Sequence, residues 1–272
     1  MKEPSILIET GLKAIDMLFP QGFPRGSFIL ISGEAGTGKT ILAYSIAKAY
    51  LRRNEYCIFV TLDEPPSIIE ENVLLSSGRN SLRKLTIIDC FSFRSKSTLY
   101  LRESDVKYST KVIYVSNPRD IKTLQRIIYV TAKSFSTPSK GLIVVDSLTE
   151  LISLCDANSF VEFVKMLRSL FAREMGVTVI GTLTFGIKLL EGLDDLLDYV
   201  ADIIIDMRYE PEYMRQGLLI RQLRIRKARG CPHDTRWLTF NVEDGELSPV
   251  EIQGKDYLSL LSSFSRMEPP VE

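Results

Sequence analysis

The amino-acid sequence predicts an α/β fold with a mostly parallel central sheet, flanking helices, and antiparallel strands near the C-terminal end. Short apolar segments rich in β-branched residues alternate with longer segments of helical periodicity over the first two-thirds of the chain. From Asp202 onward, strand-like segments follow one another with only short turns between them. Alternation favours parallel strands joined by helices, and the closing run of strands favours hairpins added to the same sheet.

The predicted elements follow in order along the chain. Strands are predicted where short apolar runs are bounded by turn residues, at 27–32, 56–62, 84–90, 141–146, 177–182, 203–209, 218–226 and 237–242. Helices are predicted at 39–53, 67–77 and 160–174, the last from apolar residues spaced three and four apart. Another helix is predicted to begin at Asn117-Pro118 and to end near Phe135, because proline is favoured at the first helical position.

A single domain is expected over residues 1–253, followed by a tail at 254–272. Of the 272 residues, 45% are hydrophobic, which is enough for one packed core. The 34 basic side chains balance 34 acidic ones, and this argues against a protein that binds polyanions by bulk charge. No apolar run approaches the roughly 20 residues of a membrane-spanning helix, and no signal peptide is recognised. A cytoplasmic protein without membrane contact is therefore expected.

The strongest motif is a glycine-rich loop, G-x-x-x-x-G-K-T, between the predicted strand at 27–32 and the predicted helix at 39–53. This strand–loop–helix context is that of a P-loop, which binds the phosphates of a nucleotide. Backbone N–H groups and the helix N-terminus would hold the phosphates, Lys39 would reach the β- and γ-phosphate oxygens, and the Thr40 hydroxyl would bind Mg²⁺. The predicted nucleotide-binding residues are Gly33, Glu34, Ala35, Gly36, Thr37, Gly38, Lys39, Thr40 and Ile41.

A second magnesium ligand is predicted at Asp146. This residue ends the apolar strand at 141–146, and ligands of open α/β sheets bind at the carboxyl ends of the strands. Asp146 is expected to hold Mg²⁺ through water, with support from Ser147. Apolar strands that end in Asp are common, so this prediction depends on the P-loop upstream.

Hydrolysis of a nucleotide also needs a group that orients the attacking water. The segment Leu62-Asp63-Glu64-Pro65 follows the strand after the P-loop helix, and Glu64 is the candidate for this role. The alternative interpretation of the segment is an acidic turn in front of two prolines.

These segments together resemble the KaiC-like branch of the RecA superfamily, which includes archaeal RadA paralogues. The resemblance is carried by TGLKAIDMLFPQGFPRGSFILISGEAGTGKT, FVTLDEPPSII, VVDSLTEL and, from Lys227 to His233, KARGCPH. It covers roughly residues 8 to 250, and it is the combination of motifs, rather than the P-loop alone, that is specific to the branch.

The resemblance implies a RecA-like P-loop NTPase fold and a Mg²⁺-dependent ATPase that assembles into a homo-oligomeric ring, expected to be a hexamer. It further implies that Lys227 and Arg229 are fingers that reach the γ-phosphate of ATP on the neighbouring subunit. By the same resemblance, His233 is a third contact with the nucleotide and Asp244 contacts its base or ribose.

Two departures from the family accompany this resemblance. The resemblance makes Glu64 the catalytic carboxylate, but Asp63 stands where the family usually has another Glu, and the shorter acid is expected to change the rate rather than abolish hydrolysis. The phosphoacceptor pair of the double-domain clock protein falls near Asp198-Tyr199, where neither residue has an aliphatic hydroxyl. Autokinase activity is therefore not expected.

Two features bear on nucleic-acid binding, and they point in opposite directions. The loops expected at roughly 149–159 and 184–199 contain more acidic than basic residues, which disfavours contact with phosphates. Residues 79–111 contain eight Lys or Arg against three acidic residues, interleaved with Phe and Tyr, as suits single-stranded nucleic acid. A solvated or subunit-facing insertion is the alternative interpretation of that segment.

Two functions therefore stay open. The first is an ATPase that acts as an accessory factor in DNA recombination or repair, as archaeal RadA paralogues do, with single-stranded DNA as a partner. The second is an ATP-gated regulatory or interaction module with slow turnover, protein partners and no DNA role.

Overall fold

The computed structural model describes residues 7–74, 83–96, 110–188, 191–215, 217, 219–243 and 245–250. Twelve strands occur in these residues: β1 (Leu7–Ile8), β2 (Phe23–Pro24), β3 (Phe28–Gly33), β4 (Tyr56–Thr61), β5 (Leu85–Asp89), β6 (Lys111–Tyr114), β7 (Gly141–Asp146), β8 (Thr178–Thr184), β9 (Ile203–Tyr209), β10 (Arg221–Ala228), β11 (Leu238–Glu243) and β12 (Glu246–Pro249). Strands β1 and β2 form a small antiparallel pair, and the other ten form one sheet.

Nine α-helices connect the strands of this described part: α1 (Lys13–Leu18), α2 (Lys39–Arg52), α3 (Pro66–Leu74), α4 (Phe93–Lys96), α5 (Ile121–Lys133), α6 (Leu148–Leu154), α7 (Ala157–Met166), α8 (Asp194–Val200) and α9 (Pro211–Arg215). A short 3₁₀ helix at Pro138–Lys140 precedes β7. Helix α7 continues into a π-helical segment, Leu167–Glu174. No helix in the described ranges combines the length and the apolar character that crossing a membrane requires.

The strand order of the large sheet is β12-β11-β10-β9-β3-β8-β7-β4-β5-β6. The six strands β3 to β8 and strand β9 pair in parallel, whereas β9 to β12 pair with one another in antiparallel hairpins. The predicted α/β class, with its parallel centre and antiparallel C-terminal strands, is confirmed. Because β3, β4, β7 and β8 run in one direction, their carboxyl ends meet at one edge of the sheet.

The core lies on both faces of this sheet, and alternate residues of the central strands divide between the two faces. Ile29 and Ile31 pack on the face covered by α2, whereas Phe28 and Leu30 pack on the face covered by α5 and α7. Strand β3 is fully buried along its length, as expected for a parallel strand covered by helices on both sides. The P-loop thus follows a strand that is buried along its whole length.

Three predicted elements need correction, and one of them is the loop expected at 184–199, which ends in helix α8 from Asp194 onward. Helix α5 begins at Ile121 rather than at Pro118, because the Asp120 side chain accepts a hydrogen bond from the backbone N–H of Thr123 and caps the helix there. The segment 149–159, predicted as a loop, is largely helical: Ser147 caps α6 by accepting from the N–H of Glu150, and Asp156 caps α7. The capping roles of the Ser147 hydroxyl and the Asp156 carboxylate were not predicted from the sequence.

Several predictions fall on residues outside the described ranges. The tail at 254–272 is one of them, and Asp244 is another. The basic and aromatic segment 79–111 is described only at 83–96 and 110–111. The single-domain boundary at residue 253 stays a prediction.

Candidate nucleotide site

Glycine is needed at the end of β3, where a side chain would clash with the adjacent strand, and in the loop that follows, where the backbone has a positive φ. A Cβ atom on Gly33 would lie 2.1 Å from the backbone oxygen of Met207 on the adjacent strand β9. Gly36 has a φ of +77°, and a Cβ there would lie 2.6 Å from the Tyr209 hydroxyl. The glycines therefore let the loop turn tightly against β9 and deliver the chain into α2, which begins at Lys39.

Lys39 is buried at the base of this loop. Its Nζ donates hydrogen bonds to the backbone oxygens of Gly33, at 3.0 Å, and Glu34, at 2.7 Å. Burial lowers the pKa of Lys39, and the nearby carboxylates of Asp146 and Asp63 oppose that shift. The ammonium group is thus held between the loop backbone and the acidic end of β7, where it can contact phosphate oxygens.

Asp146 meets Thr40 at the carboxyl end of β7. The Thr40 hydroxyl donates to Oδ1 of Asp146 at 3.4 Å, and the Thr182 hydroxyl of β8 donates to the same oxygen. Asp146 is 2% exposed, and this burial raises its pKa to about 6, against the two hydroxyl donors, which lower it. The structure therefore brings the two predicted magnesium ligands together and adds Thr182 as a third side chain.

These groups line a cavity of about 350 Å³ at the carboxyl edge of the sheet. The lining residues are Ala35, Gly36, Gly38, Lys39, Thr40, Ile41, Asp63, Asp146, Ser147, Thr182 and Thr184. Of the two acids after β4, Asp63 belongs to this lining and Glu64 does not. Desolvation by the surrounding protein raises the pKa of Asp63, while a hydrogen bond with Ser147 lowers it.

Glu64 lies half-buried beside this cavity. The Thr61 hydroxyl donates to its backbone oxygen at 2.5 Å, which fixes the turn after β4. Thr61, three residues earlier, pairs with Asp146 in the sheet, so Glu64 follows the strand that lies beside the predicted metal ligand. Glu64 itself is not part of the lining of the cavity.

The donor set fits Mg²⁺ together with a nucleotide. A hydroxyl and a carboxylate 3.4 Å apart supply the oxygen atoms that Mg²⁺ prefers, and Mg²⁺ usually takes its remaining ligands from water and substrate phosphates. The glycine-built loop and the start of α2 supply backbone N–H groups for those phosphates. Thr40 and Asp146 are the residues that would hold the metal.

The cavity lies at the carboxyl ends of the parallel strands, whereas the predicted fingers lie at the opposite ends of the strands, which we call the amino edge. Ala228 pairs with Ile203 at the start of β9, whereas Gly33 pairs with Met207 near its end. The Lys227 ammonium donates to the backbone oxygen of Asp198, and Nη2 of Arg229 donates to the backbone oxygen of Tyr199 at 2.9 Å. Both cations thus rest on carbonyl groups at the C-terminal end of α8, where the helix dipole favours positive charge.

A buried carboxylate links this finger edge to the P-loop strand. Asp202 is fully buried and accepts a hydrogen bond from the backbone N–H of Phe28, the first residue of β3, at 3.2 Å. Its other oxygen accepts from Nε of Arg168 at 3.1 Å and from Arg173, and lies 4.0 Å from Nη1 of Arg229. The buried charge is therefore compensated by three guanidinium groups.

His233 neither lines the cavity nor contacts the end of α8, where Lys227 and Arg229 are bound. Its Nδ1 lies 3.2 Å from the backbone oxygen of Cys231, within the turn after β10. The structure does not bring His233 to the P-loop of its own chain. Contact with a nucleotide on another subunit stays a prediction for this residue.

Sequence analysis missed two neighbours of the site besides Thr182. Nε of Arg221, on β10, donates to the backbone oxygen of Gly36 at 3.2 Å, and Tyr209 on β9 packs against the same loop. A polar residue at the end of the apolar strand 177–182 was a usable signal for Thr182. Arg221 and Tyr209 carry no such signal, because the parallel pairing of β9 with β3 brings Tyr209 to the loop and the antiparallel pairing of β10 with β9 then brings Arg221 there.

Comparison with known proteins agrees with this geometry. The family model for the KaiC ATPase matches residues 8–254. A UPF0273 protein of Thermotoga maritima is 26% identical over 249 residues, which cover 87% of this chain and 93% of that protein. The circadian clock oscillator protein KaiC of Thermostichus vulcanus is 28% identical over 244 residues, and the match covers 88% of this chain but 43% of KaiC.

Among solved structures, a KaiC-like protein of Pyrococcus horikoshii superposes with a TM-score of 0.65. The alignment covers 91% of this chain and all of that one, at 22% identity, and so shows a shared fold. The family match spans the P-loop, the strand that ends in Asp146 and the finger segment. The chain therefore belongs to the KaiC-like family of RecA-type P-loop ATPases.

Proposed function

We propose that this protein hydrolyses ATP with Mg²⁺ and that each active site is completed by a second copy of the chain. The observation that carries the proposal is the separation of two sets of side chains. Lys39, Thr40 and Asp146 converge on one cavity, while Lys227 and Arg229 lie at the other edge of the same sheet. One chain therefore supplies phosphate binding at one edge and finger cations at the other.

Within one chain, the cavity residues have separate roles. Lys39 and the loop N–H groups hold the phosphates, and Thr40 and Asp146 hold the metal. Bound Mg²⁺ neutralises charge on the β- and γ-phosphate oxygens. Glu64 orients the attacking water for in-line attack and accepts its proton. The position of Glu64 in the turn after β4, whose last residue Thr61 pairs with Asp146, supports this assignment, although Asp63 is the acid that lines the cavity.

The finger cations are proposed to act on the nucleotide of a neighbouring chain. Phosphoryl transfer spreads negative charge over the equatorial oxygens, and a cation placed there is worth roughly 10³ to 10⁵ in rate. Since Lys227 and Arg229 cannot reach the P-loop of their own chain from the far edge, a head-to-tail interface must supply them. Such interfaces close into rings, and a hexamer is the proposed assembly.

A first experiment measures turnover of Mg·ATP by the wild type, Glu64→Gln and Arg229→Ala, together with the mass of each in solution. We expect an oligomeric wild type and losses of at least about 100-fold in both variants, since each removes a group that acts in the transition state. A monomeric wild type that hydrolyses ATP, with Arg229→Ala as active as the wild type, would contradict the shared site.

A mixing experiment tests sharing directly. Lys39→Ala lacks the phosphate-binding cation and Arg229→Ala lacks a finger, so each variant alone should be inactive. In a randomly mixed ring, about a quarter of the sites pair an intact P-loop with an intact finger, and activity should return to that fraction of wild type. A mixture of Lys39→Ala with a Lys39→Ala, Arg229→Ala double variant is the matched control, and it should stay inactive.

An accessory role in DNA recombination or repair is the biological setting proposed first, and the family resemblance supports it. Stimulation of turnover by single-stranded DNA, with binding lost as salt rises, is the expected result. A nucleotide-gated interaction module is the second candidate. The segment between β8 and β9 favours it, since Lys188 is outnumbered there by Glu191, Asp194, Asp195 and Asp198. ATP-dependent assembly that is indifferent to DNA would select this second candidate.

A further inference from the structure

A second cavity, of about 300 Å³, opens at the amino edge of the sheet, and a volume of this size suits a small ligand. Its lining comes from segments that lie just before strands β3, β4, β5 and β7. These segments are far apart in the sequence and meet because parallel strands begin at the same edge. The lining shares no residue with the P-loop cavity, which lies at the carboxyl ends of the strands. The two cavities are therefore separate sites of one chain.

The lining of this second cavity is cationic. Arg25, Arg53, Lys84 and Lys140 contribute four positive charges, against the single carboxylate of Glu55. Glu55 is 7% exposed, and its two oxygens accept hydrogen bonds from Nη1 and Nη2 of Arg25 at 2.7 and 2.5 Å. Because this bidentate pair is neutral as a whole, the acid is not available to the remaining three cations.

These three cations have no carboxylate partner. In the part of the chain that the structure describes, Arg53, Lys84 and Lys140 form no ion pair. The Nζ of Lys84 lies 3.9 Å from the centre of the Tyr56 ring, so an aromatic face holds it rather than an acid. Tyr56 is itself fixed, because its ring stacks on that of Phe135 with 4.9 Å between the centroids. Like charges that converge on a concave surface raise the positive potential there, and this potential attracts an anion.

Neutral hydrogen-bonding groups complete the lining. They include the amide of Asn54 and the hydroxyls of Ser136 and Thr137. Guanidinium, ammonium and hydroxyl groups are the donors that bind phosphoryl oxygens. A single carboxylate ligand would neutralise only one of the three cations. A diphosphate group carries several negative charges in a small volume, and it therefore matches both the charge and the size of the cavity.

We propose that the amino-edge cavity is a binding site for a small anion that carries a diphosphate group. Arg53, Lys84 and Lys140 bind its phosphoryl oxygens, and Ser136 and Thr137 add hydroxyl donors. The pair of Arg25 and Glu55 stays intact when the anion binds. The site is separate from the P-loop, so this inference does not rest on the proposed ATPase activity.

The test measures binding of inorganic pyrophosphate by isothermal titration calorimetry, without metal ions. All proteins carry Lys39→Ala, which removes the phosphate-binding cation of the P-loop. The site variant adds Arg53→Gln and Lys140→Gln. The matched control adds Lys122→Gln and Arg126→Gln on α5. Each pair removes one exposed arginine and one exposed lysine, but the control pair lies outside the lining.

We expect the Lys39→Ala protein to bind one pyrophosphate per chain. The site variant should bind it at least about tenfold more weakly, because two charged hydrogen-bond donors are lost, while the control stays within about twofold. Citrate has a similar charge on more widely spaced carboxylates, and it should bind at least about fivefold more weakly than pyrophosphate. Melting temperatures should be unchanged, since the substituted side chains are exposed and unpaired.

A second variant keeps the charge and changes only the donor geometry. Arg53→Lys should lower the affinity for pyrophosphate about threefold or more, because an ammonium group lacks the paired donors of a guanidinium group. This variant decides the outcome if the double substitution lowers the melting temperature.

The proposal fails if the Lys39→Ala protein does not bind pyrophosphate. Equal losses in the site and control variants, or equal binding of citrate, would also overturn it, because bulk charge would then explain the attraction. Single-stranded oligothymidylate is the last probe. Binding of this oligonucleotide that depends on Arg53 and Lys140, and that pyrophosphate does not displace, would reject a small ligand in favour of an extended phosphodiester chain.

Discussion

The two edges of the parallel sheet use their polar side chains differently. At the carboxyl edge, Lys39, Thr40 and Asp146 point into one cavity and contact one another or the loop backbone. At the amino edge, Lys227 and Arg229 rest on backbone carbonyls at the end of α8. Neither side chain lines the P-loop cavity of its own chain. One edge groups its polar side chains around a cavity, and the other docks its cations on the end of a helix. The comparison teaches that the two sets of side chains do not meet within one chain, which is the basis of the proposed shared site.

Removing the cation at the carboxyl edge should have the largest effect on nucleotide binding. Lys39→Ala should weaken binding of Mg·ATP at least about 100-fold, because a buried ammonium group that contacts phosphates is lost. Arg229→Ala should bind Mg·ATP with close to wild-type affinity, since its cation acts at the neighbouring site during the reaction. Isothermal titration calorimetry on both variants checks this. Equal losses would show that the two edges are not divided in this way.

Two threonines of β8 test the same comparison, and substitutions of them should have effects of intermediate size. Thr182 donates to Asp146 at the carboxyl end of β8, whereas Thr178, near its start, accepts from Tyr50 and from the N–H of Gly26. Thr182→Val should weaken Mg·ADP binding about tenfold, because the buried carboxylate loses a donor. Thr178→Val should leave this affinity unchanged and lower the free energy of unfolding by about 1–3 kcal/mol, as two donors lose their acceptor.

Calorimetric titration with Mg·ADP and urea unfolding, applied to both threonine variants, measure these two quantities. A loss of Mg·ADP affinity in Thr178→Val as large as in Thr182→Val would mean that β8 acts as one unit, and the edges would then not be independent.

The smallest effect is expected for Arg229→Ala, on the free energy of unfolding. Arg229 is 39% exposed, and its carboxylate neighbour Asp202 keeps Arg168 and Arg173. Arg229→Ala should therefore change the free energy of unfolding by less than about 1 kcal/mol, as is usual for partly exposed ion pairs. Urea unfolding checks this value. A loss of several kcal/mol would make Arg229 a structural residue, and its loss of turnover would then have another explanation.

Local motifs carried most of what could be predicted from the sequence. The P-loop and the strand before it are contiguous, so the spacing of Gly33, Gly38 and Lys39 specifies both the turn and the helix start. Asp146 was predictable because it ends a wholly apolar strand. The observed bounds of β9 (Ile203–Tyr209) and of β7 (Gly141–Asp146) agree with the sequence prediction, because a contiguous apolar run marks each strand.

Long-range contacts set the limit of that prediction. The docking of Arg229 on the end of α8 depends on the pairing of β9 with β10, which no local pattern specifies. The start of α5 was placed three residues too early because the Asp120 cap outweighs the preference of proline for the first turn. That Asp63, and not Glu64, lines the cavity depends on the direction of two adjacent side chains after β4.

Asp202 connects the two halves of the proposed shared site within one chain. It accepts a hydrogen bond from the first residue of the strand that leads to the P-loop, and it lies 4.0 Å from Arg229, the cation proposed to act at the next site. In the proposed ring, any movement of that strand would therefore also act on this cation, and neighbouring sites would be coupled through one buried carboxylate.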